Sequence, residues 1–327
     1  MDKNIGWGII GLGNIAQKFA DCLKLVSDAE LIGVASRNEE KAVDFGIKND
    51  SKYSFGSYEE LFNCEEVQVI YIATPHTAHT TWAIKAMKAG KSVLCEKPMG
   101  VNRGQVEQMI NEARKNNVFL MEALWSRFNP AIAEVKKKID AGDIGEVGYL
   151  HADFAFYALD RPEEGRLLNP ELAGGSLLDI GIYPIFLAYL ILENPEKIKS
   201  AAKFHKTGVE IQISLLFEYQ RAMALLYSGL NSSSEMKAQI SGTKGSIYLN
   251  PRWHETQGYT LEKNGKQEVF SLPLLGKGYE YEIMEVNACL KEEKKESELW
   301  SLKNSLDLIV IMDEIRRQCS IKFPFES

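Results

Sequence analysis

The chain has 327 residues, 45% of them hydrophobic, which at roughly 100–200 residues per domain predicts two cores. Its 45 acidic residues outnumber 38 basic ones, for a formal charge of -7, so nothing draws the whole molecule to a polyanion such as nucleic acid. The five cysteines, Cys22, Cys64, Cys95, Cys289 and Cys319, are widely spaced without a C-x-x-C pair, so reduced thiols are expected, with neither a metal site nor a disulfide framework. The opening MDKNIGWGIIGLGNIA lacks the parts of a secretory signal. The longest apolar run, 180–192, contains Tyr183 and Pro184 and falls short of the about 18 residues a membrane helix needs. A soluble cytoplasmic protein without a membrane partner is the expectation.

Residues 5–10 are apolar with interspersed glycine and lead into a glycine cluster, as a buried first strand does, and 15–25 follow with helical spacing. The alternation continues with a strand over 31–35, a helix over 39–45, a strand over 67–73 and a helix over 77–89 closed by Gly90. A strand over 92–95, a helix over 104–116 and a strand over 118–121 complete it. Strands nearly continuous in apolar residues, each followed by a helix, predict a parallel, doubly wound sheet covered on both faces. Residues 1–122 therefore read as an α/β Rossmann domain.

Beyond Met121 the pattern changes. A helix over 130–141 ends at Gly142, and an alternating stretch covers 147–157. Strands then run together over 200–205, 209–219, 221–230, 236–241, 246–249, 259–263 and 268–272, with polar turns such as Asn264-Gly265. Residues 123–327 are expected to form an α+β domain with a large, predominantly antiparallel open sheet, covered by a helix over 175–192 and two late helices. The charged run 291–298, KEEKKESE, reads as a solvated link between those last helices.

The first chemical motif lies where the first strand meets the first helix. Gly11, Gly13 and Ala16 form G-x-G-x-x-A: Gly11 permits the tight turn, Gly13 lets the backbone approach a pyrophosphate, and Ala16 allows close packing of helix on strand. The N–H groups around Asn14 and Ile15 would then face the phosphates. About 20 residues on, an NAD site usually offers a carboxylate to the adenosine ribose; here the chain reads Ala35-Ser36-Arg37-Asn38. Ser36 and the planar fork of Arg37 suit a 2′-phosphate, which favours NADP. An arginine stacked beside adenine, with NAD bound, is the other reading.

Three more segments carry chemistry: Ala73-Thr74-Pro75 with His79, Cys95-Glu96-Lys97-Pro98, and Asp179-Ile180-Gly181-Ile182-Tyr183-Pro184. With the glycine motif they make the chain resemble the Gfo/Idh/MocA oxidoreductase family over nearly its whole length. Met121-Glu122-Ala123-Leu124-Trp125-Ser126-Arg127-Phe128 and the tyrosine of the third segment resemble its dimeric dihydrodiol dehydrogenase and D-xylose dehydrogenase branch. The resemblance implies an NADP-dependent enzyme, with NAD possible, that transfers a hydride between nicotinamide and a sugar, cyclic diol or related hydroxy or carbonyl compound. It also implies Lys97 beside the nicotinamide and substrate, and a homodimer through the open face of the second sheet. The alternatives are an NADPH-dependent reductase of a dicarbonyl sugar and a non-catalytic nucleotide-binding regulator.

Oxidising an alcohol removes a hydride, taken by the cofactor, and a proton, for which a protein base is needed. Tyr183 is the candidate base; its free pKa of about 10 would be lowered by an ammonium such as that of Lys97. Many family members carry histidine there, which leaves Lys97 as the alternative proton carrier. Asp179, four residues before Tyr183, would share its face of a helix and orient substrate hydroxyls or Lys97. His76 and His79, with no third ligand nearby, and Thr74-Pro75 are expected to line the cofactor or serve structure. Glu96 would contact the nicotinamide ribose or cap the next segment. Trp125 and Arg127, with Phe156 as a weaker candidate, are expected to shape the substrate pocket; Phe154 and Trp253 are expected to pack a sheet, and His151 faces either way.

Overall fold

The computed structural model describes residues 4–326. In chain order the elements are β1 Ile5–Ile10, α1 Asn14–Leu23, β2 Ala29–Ala35, α2 Glu39–Asn49, β3 Tyr53–Phe55, α3 Tyr58–Phe62, β4 Val69–Ile72, α4 His79–Lys88, β5 Ser92–Glu96, α5 Arg103–Asn116 and β6 Leu120–Ala123. There follow α6 Pro130–Asp140, β7 Val147–Ala155, α7 Ile182–Leu192, β8 Lys197–Phe204, β9 Glu210–Glu218, β10 Met223–Gly229, β11 Ala238–Gly242, β12 Gly245–Leu249, β13 Gly258–Lys263, β14 Lys266–Ser271, α8 Glu280–Lys291 and α9 Leu302–Cys319. Two compact units result: the chain up to Phe128 with Leu275–Leu306, and Asn129–Leu274 with the chain from Asp307 onward.

The first unit holds a six-stranded sheet in the order β3-β2-β1-β4-β5-β6, every pair parallel. All six residues of β1 and all four of β4 are buried, as strands covered on both faces must be. The order reverses between β1 and β4, which makes their carboxyl ends the topological switch point where such sheets take ligands. Two short elements, β3 and α3, have no counterpart in the sequence pattern; three and five residues are too few to show a period.

The units divide differently from the expected boundary at 122/123. The strand-to-turn segment through Phe128 stays with the first unit, and 275–306 returns to it. The reason lies in α8, whose Ile283, Val286 and Cys289 are buried and whose Asn287 Oδ1 accepts from Trp7 Nε1 of β1 at 3.0 Å. One of the two late helices expected over the second sheet thus covers the first. The run 291–298 is not a purely solvated link either: Leu120 N of β6 donates to Lys295 O at 3.1 Å, Lys295 Nζ donates to Asn117 O, and Ser297 is fully buried.

The second unit holds eight strands in the order β14-β13-β12-β11-β7-β10-β9-β8. Every neighbouring pair is antiparallel except β7 and β10, which pair in parallel. The inner face, with Leu150, Ala152, Ile213, Phe217, Ala224, Leu226 and Ile240, is buried. The stretch expected as one helix begins as a π-helix, Leu177–Gly181, before continuing as α7. Pro170–Leu192 is long and apolar enough to cross a membrane by composition alone, but 83% of that window is buried inside the structure, as in a core helix.

Candidate active site

The glycine turn is built as its sequence demands. Gly11 has φ +79°, a left-handed conformation that L side chains rarely adopt, and a β-carbon there would overlap the backbone of Ala73 and Thr74. Gly13 donates its N–H to Gly11 O at 2.7 Å, and a β-carbon on it would meet nothing nearer than Gly11 O at 3.9 Å. It precedes α1, which has no side-chain N-cap and no acidic residue in its first turn. The first N–H groups of that helix, around Asn14 and Ile15, lack a capping side chain and carry the positive end of the helix dipole. The donor set and the uncrowded backbone at Gly13 fit a dinucleotide pyrophosphate.

At the end of β2, Ser36 N donates to Phe55 O at 3.2 Å and Ser36 Oγ accepts from Asn38 N at 3.2 Å. Asn38 in turn caps α2 by accepting from Lys41 N at 2.9 Å. Arg37 is exposed. Burial raises the pKa of the Tyr58 phenol, and the positive charge of Arg37 acts against that rise. The first acidic residues that follow in the chain are Glu39 and Glu40, in the first turn of α2.

His79 joins two loops at the ends of β4 and β5. Its ring nitrogens lie 2.9 Å from Pro98 O and 2.9 Å from Thr74 O, its side chain is fully buried, and burial lowers its pKa. It is a structural clasp between Thr74-Pro75 and Lys97-Pro98, with His76 in the turn beside it, ring centroids 5.7 Å apart. Thr74 Oγ1 is buried without a hydrogen-bond partner among the described residues, so this loop holds a polar group that a bound cofactor would satisfy. Lys97 directly follows β5. Among the described residues no cluster of three or more His, Cys, Asp and Glu side chains is placed to hold a metal.

The first unit also holds buried acids: Glu96 and Glu122, which lie in sequence motifs, and Glu282, which does not. Glu96 accepts from Tyr71 OH with one oxygen and from Lys97 N at 3.1 Å with the other, so it does cap the next segment. Glu122 of β6 accepts from Met99 N at 2.8 Å and from Trp300 Nε1 at 3.1 Å; burial raises its pKa. Glu282 of α8 is fully buried with no hydrogen-bond partner for either oxygen among the described residues. Burial, then the charges of Glu96 and Glu280, push its pKa far up. Trp125 stacks on Tyr279 at 4.7 Å, and Arg127 donates Nε to Leu299 O at 2.8 Å, so both have structural partners within the first unit.

In the second unit Asp179 sits in the π-helix, largely buried, and accepts from Arg166 Nη1 at 2.6 Å. Tyr183, in the first turn of α7, packs against Phe154 at 5.5 Å and His254 at 5.4 Å between ring centroids, and His254 stacks on Phe154 at 4.2 Å. Phe154 therefore packs the inner sheet face, as does Trp253, fully buried with Nε1 donating to Asp153 O at 2.9 Å. Phe156 is half-buried under the guanidinium of Arg161, 5.3 Å from the ring centroid. His151 lines a recess on the outer face with Asp153, Tyr227 and Tyr248. Arg166, His254, Tyr71 and Glu282 carry no motif; the first three are brought in by contacts with residues outside their own segment.

Comparison with known proteins agrees with this geometry. The Gfo/Idh/MocA model, an oxidoreductase family with an NAD-binding Rossmann fold, matches residues 5–124, and that family's carboxy-terminal domain matches 132–248. The chain is similar to trans-1,2-dihydrobenzene-1,2-diol dehydrogenase of Mus musculus, 37% identical over 97% of this chain and 98% of the relative. It is similar to the Homo sapiens protein of that name at 35%, over 97% and 98%. Its fold matches a 3-ketoreductase from Actinomadura kijaniata in complex with NADP and TDP-benzene, TM-score 0.86 at 24% identity over 97% of this chain and 98% of that one. It also matches an aldose-aldose oxidoreductase from Caulobacter crescentus complexed with glycerol, TM-score 0.87 at 24% identity with the same coverage. Both domain models in order along the chain, and identity above 30% over nearly all of it, mean that this protein belongs to the Gfo/Idh/MocA oxidoreductase family.

Proposed function

We propose that the protein is an NADP-dependent oxidoreductase that transfers a hydride between the nicotinamide and a CH–OH group of a sugar, cyclic diol or related hydroxy or carbonyl compound. The observation that carries this reading is the uncapped amino terminus of α1 above Gly13, in a chain whose second strand is followed by Ser36-Arg37 without a carboxylate. Bound there, NADP supplies the hydride acceptor or donor. The chain's own residues do the rest: backbone N–H groups at Asn14 and Ile15 hold the pyrophosphate, Ser36 and Arg37 the 2′-phosphate, and Thr74, Pro75, His76, Glu96 and Lys97 line the remainder.

Tyr183 is the proposed carrier of the hydroxyl proton, and Lys97 is the alternative carrier. Asp179, held by Arg166, orients substrate hydroxyls. Trp125, stacked on Tyr279, and Arg127, held by Leu299 O, are the proposed walls of the substrate pocket, with Phe156 as a further contact. The relatives' substrate, a dihydrodiol, is the first compound to test, followed by aldoses. Titration with NADPH and NADH by fluorescence, then a substrate screen at 340 nm, tests the reading: binding without turnover on any diol or sugar sinks it.

The protein is further proposed to be a soluble cytoplasmic homodimer, paired through the outer face of the second sheet. That face carries exposed Met223, Leu225 and Val269 around a recess of about 670 Å³ lined by His151, Tyr227 and Tyr248, and exposed apolar surface of this kind marks an interaction face. A monomer in light scattering would contradict it.

A further inference from the structure

The residue that sets the start of the Asp179–Tyr183 segment lies on β9. In that strand Gln212, Ser214 and Leu216 alternate with the buried Ile213, Leu215 and Phe217, so strict alternation would turn Glu210 to the outer face with Gln212. The ladder to β8 prevents this: Lys203 pairs with Gln212 but Phe204 pairs with Glu210, leaving Ile211 as an extra residue in β9. A β-bulge of this kind re-aims the side chain beyond it. Glu210 accordingly points inward and is almost fully buried, and Ile211 O accepts from Leu230 N at 2.7 Å instead of joining the β8 ladder.

Inside, Glu210 Oε1 accepts from Leu177 N at 2.7 Å, the first residue of the π-helix that carries Asp179. Gly175, with φ +120°, lies flat against the carboxyl group; a β-carbon on it would overlap both oxygens. Ser176 between them is tied to β10 through Ser228, Oγ to Oγ 3.1 Å. On its other side the same loop reaches Asp179 through Arg166. Burial pushes the Glu210 carboxyl up to about 7, opposed by the Leu177 amide and the Arg316 guanidinium; Arg316 itself pairs with Asp313 at 3.2 Å and with Glu326.

We propose that Glu210 is a positioning residue: turned inward by the bulge, its carboxyl group clamps the Gly175–Leu177 turn and so fixes where the helix bearing Asp179 and Tyr183 begins. The inference rests on the role proposed for those two residues, but the clamp itself is a property of the second unit. A glutamine keeps the acceptor oxygen at the same reach, an aspartate withdraws it, and an alanine removes it.

The test compares Glu210→Gln, Glu210→Asp and Glu210→Ala in the full-length protein, by steady-state kinetics, NADPH titration and amide hydrogen exchange over 176–183. Expected are loss of kcat by about 100-fold in Glu210→Ala, the scale of a misplaced catalytic group, and an intermediate loss in Glu210→Asp. Both variants should exchange faster over 176–183 while the NADPH dissociation constant stays put. Glu210→Gln should recover kcat to within about threefold and restore protection, since it preserves the hydrogen bond. Gly175→Ala, which forces the carboxyl away, should reproduce the alanine result. Wild-type exchange in Glu210→Asp, or a Glu210→Gln as defective as Glu210→Ala, overturns the clamp. If Glu210→Ala does not fold, the aspartate and glutamine pair still decides. Should the wild type turn over no diol or sugar, the functional reading falls, and the exchange data alone judge Glu210.

Discussion

The two units prepare their chemistry by different means. In the first, the cofactor candidates sit where parallel strands stop, and the backbone does most of the work: a left-handed glycine, an uncapped helix terminus and two loops tied by one buried histidine. In the second, Asp179 and Tyr183 lie within a buried helix whose start is held by side chains from β9, β10 and a distant loop. A site made of strand ends needs only a short motif to be specified. A site inside a helix layer needs a set of long-range contacts, and is correspondingly open to disruption from residues that never touch substrate.

The sharpest way to break this contrast is at its two chemical ends. Lys97→Met should lower kcat by about 10²–10⁴-fold, the range of a lost acid–base contribution, with NADPH affinity changed only a few-fold, and Tyr183→Phe should do the same. Turnover at 340 nm and fluorescence titration of the same preparations check both; an unimpaired Lys97→Met would remove Lys97 from the chemistry. Next, Gly11→Ala forces a methyl group into the Ala73–Thr74 backbone and should cost about 1–3 kcal/mol by overpacking, read as a lower Tm in the first unit together with lost cofactor binding.

Arg37→Ala should weaken NADPH binding by roughly 10- to 100-fold, the equivalent of a charged hydrogen bond at about 1.5–3 kcal/mol, and leave NADH binding unchanged. Equal losses for both cofactors would mean that Arg37 stacks on adenine rather than holding a 2′-phosphate.

The smallest effects are in pH dependence, where His79 and Glu210 should differ in sign. His79 has a lowered pKa in the folded state, so its contribution is present above its unfolded value of about 6.5 and is lost as pH falls. Glu210 is raised from 4.5 to about 7, so its contribution is full below 4.5 and is lost as pH rises to about 7. Thermal unfolding of Glu210→Gln against wild type between pH 5 and 8 reads the second term: the wild type should lose relative stability as pH rises, and parallel curves would contradict the assignment.

The features legible in the chain follow from local rules. Apolar runs alternating with helical periods gave the parallel sheet, Gly11-x-Gly13 at a strand end gave the dinucleotide site, and Ser36-Arg37 favoured NADP, because each depends on residues within one turn of each other. The tertiary structure alone decided that α8 returns to cover the first sheet, that β7 and β10 pair in parallel, and that the charged run 291–298 docks on β6. It also decided that Glu282 is buried without a hydrogen-bond partner among the described residues, that His254 stacks on Phe154 beside Tyr183, and that Glu210 faces inward. That last placement is the plainest case: a one-residue bulge reverses the face of every side chain beyond it, and a bulge is set by the register between two strands, which neither strand spells out alone.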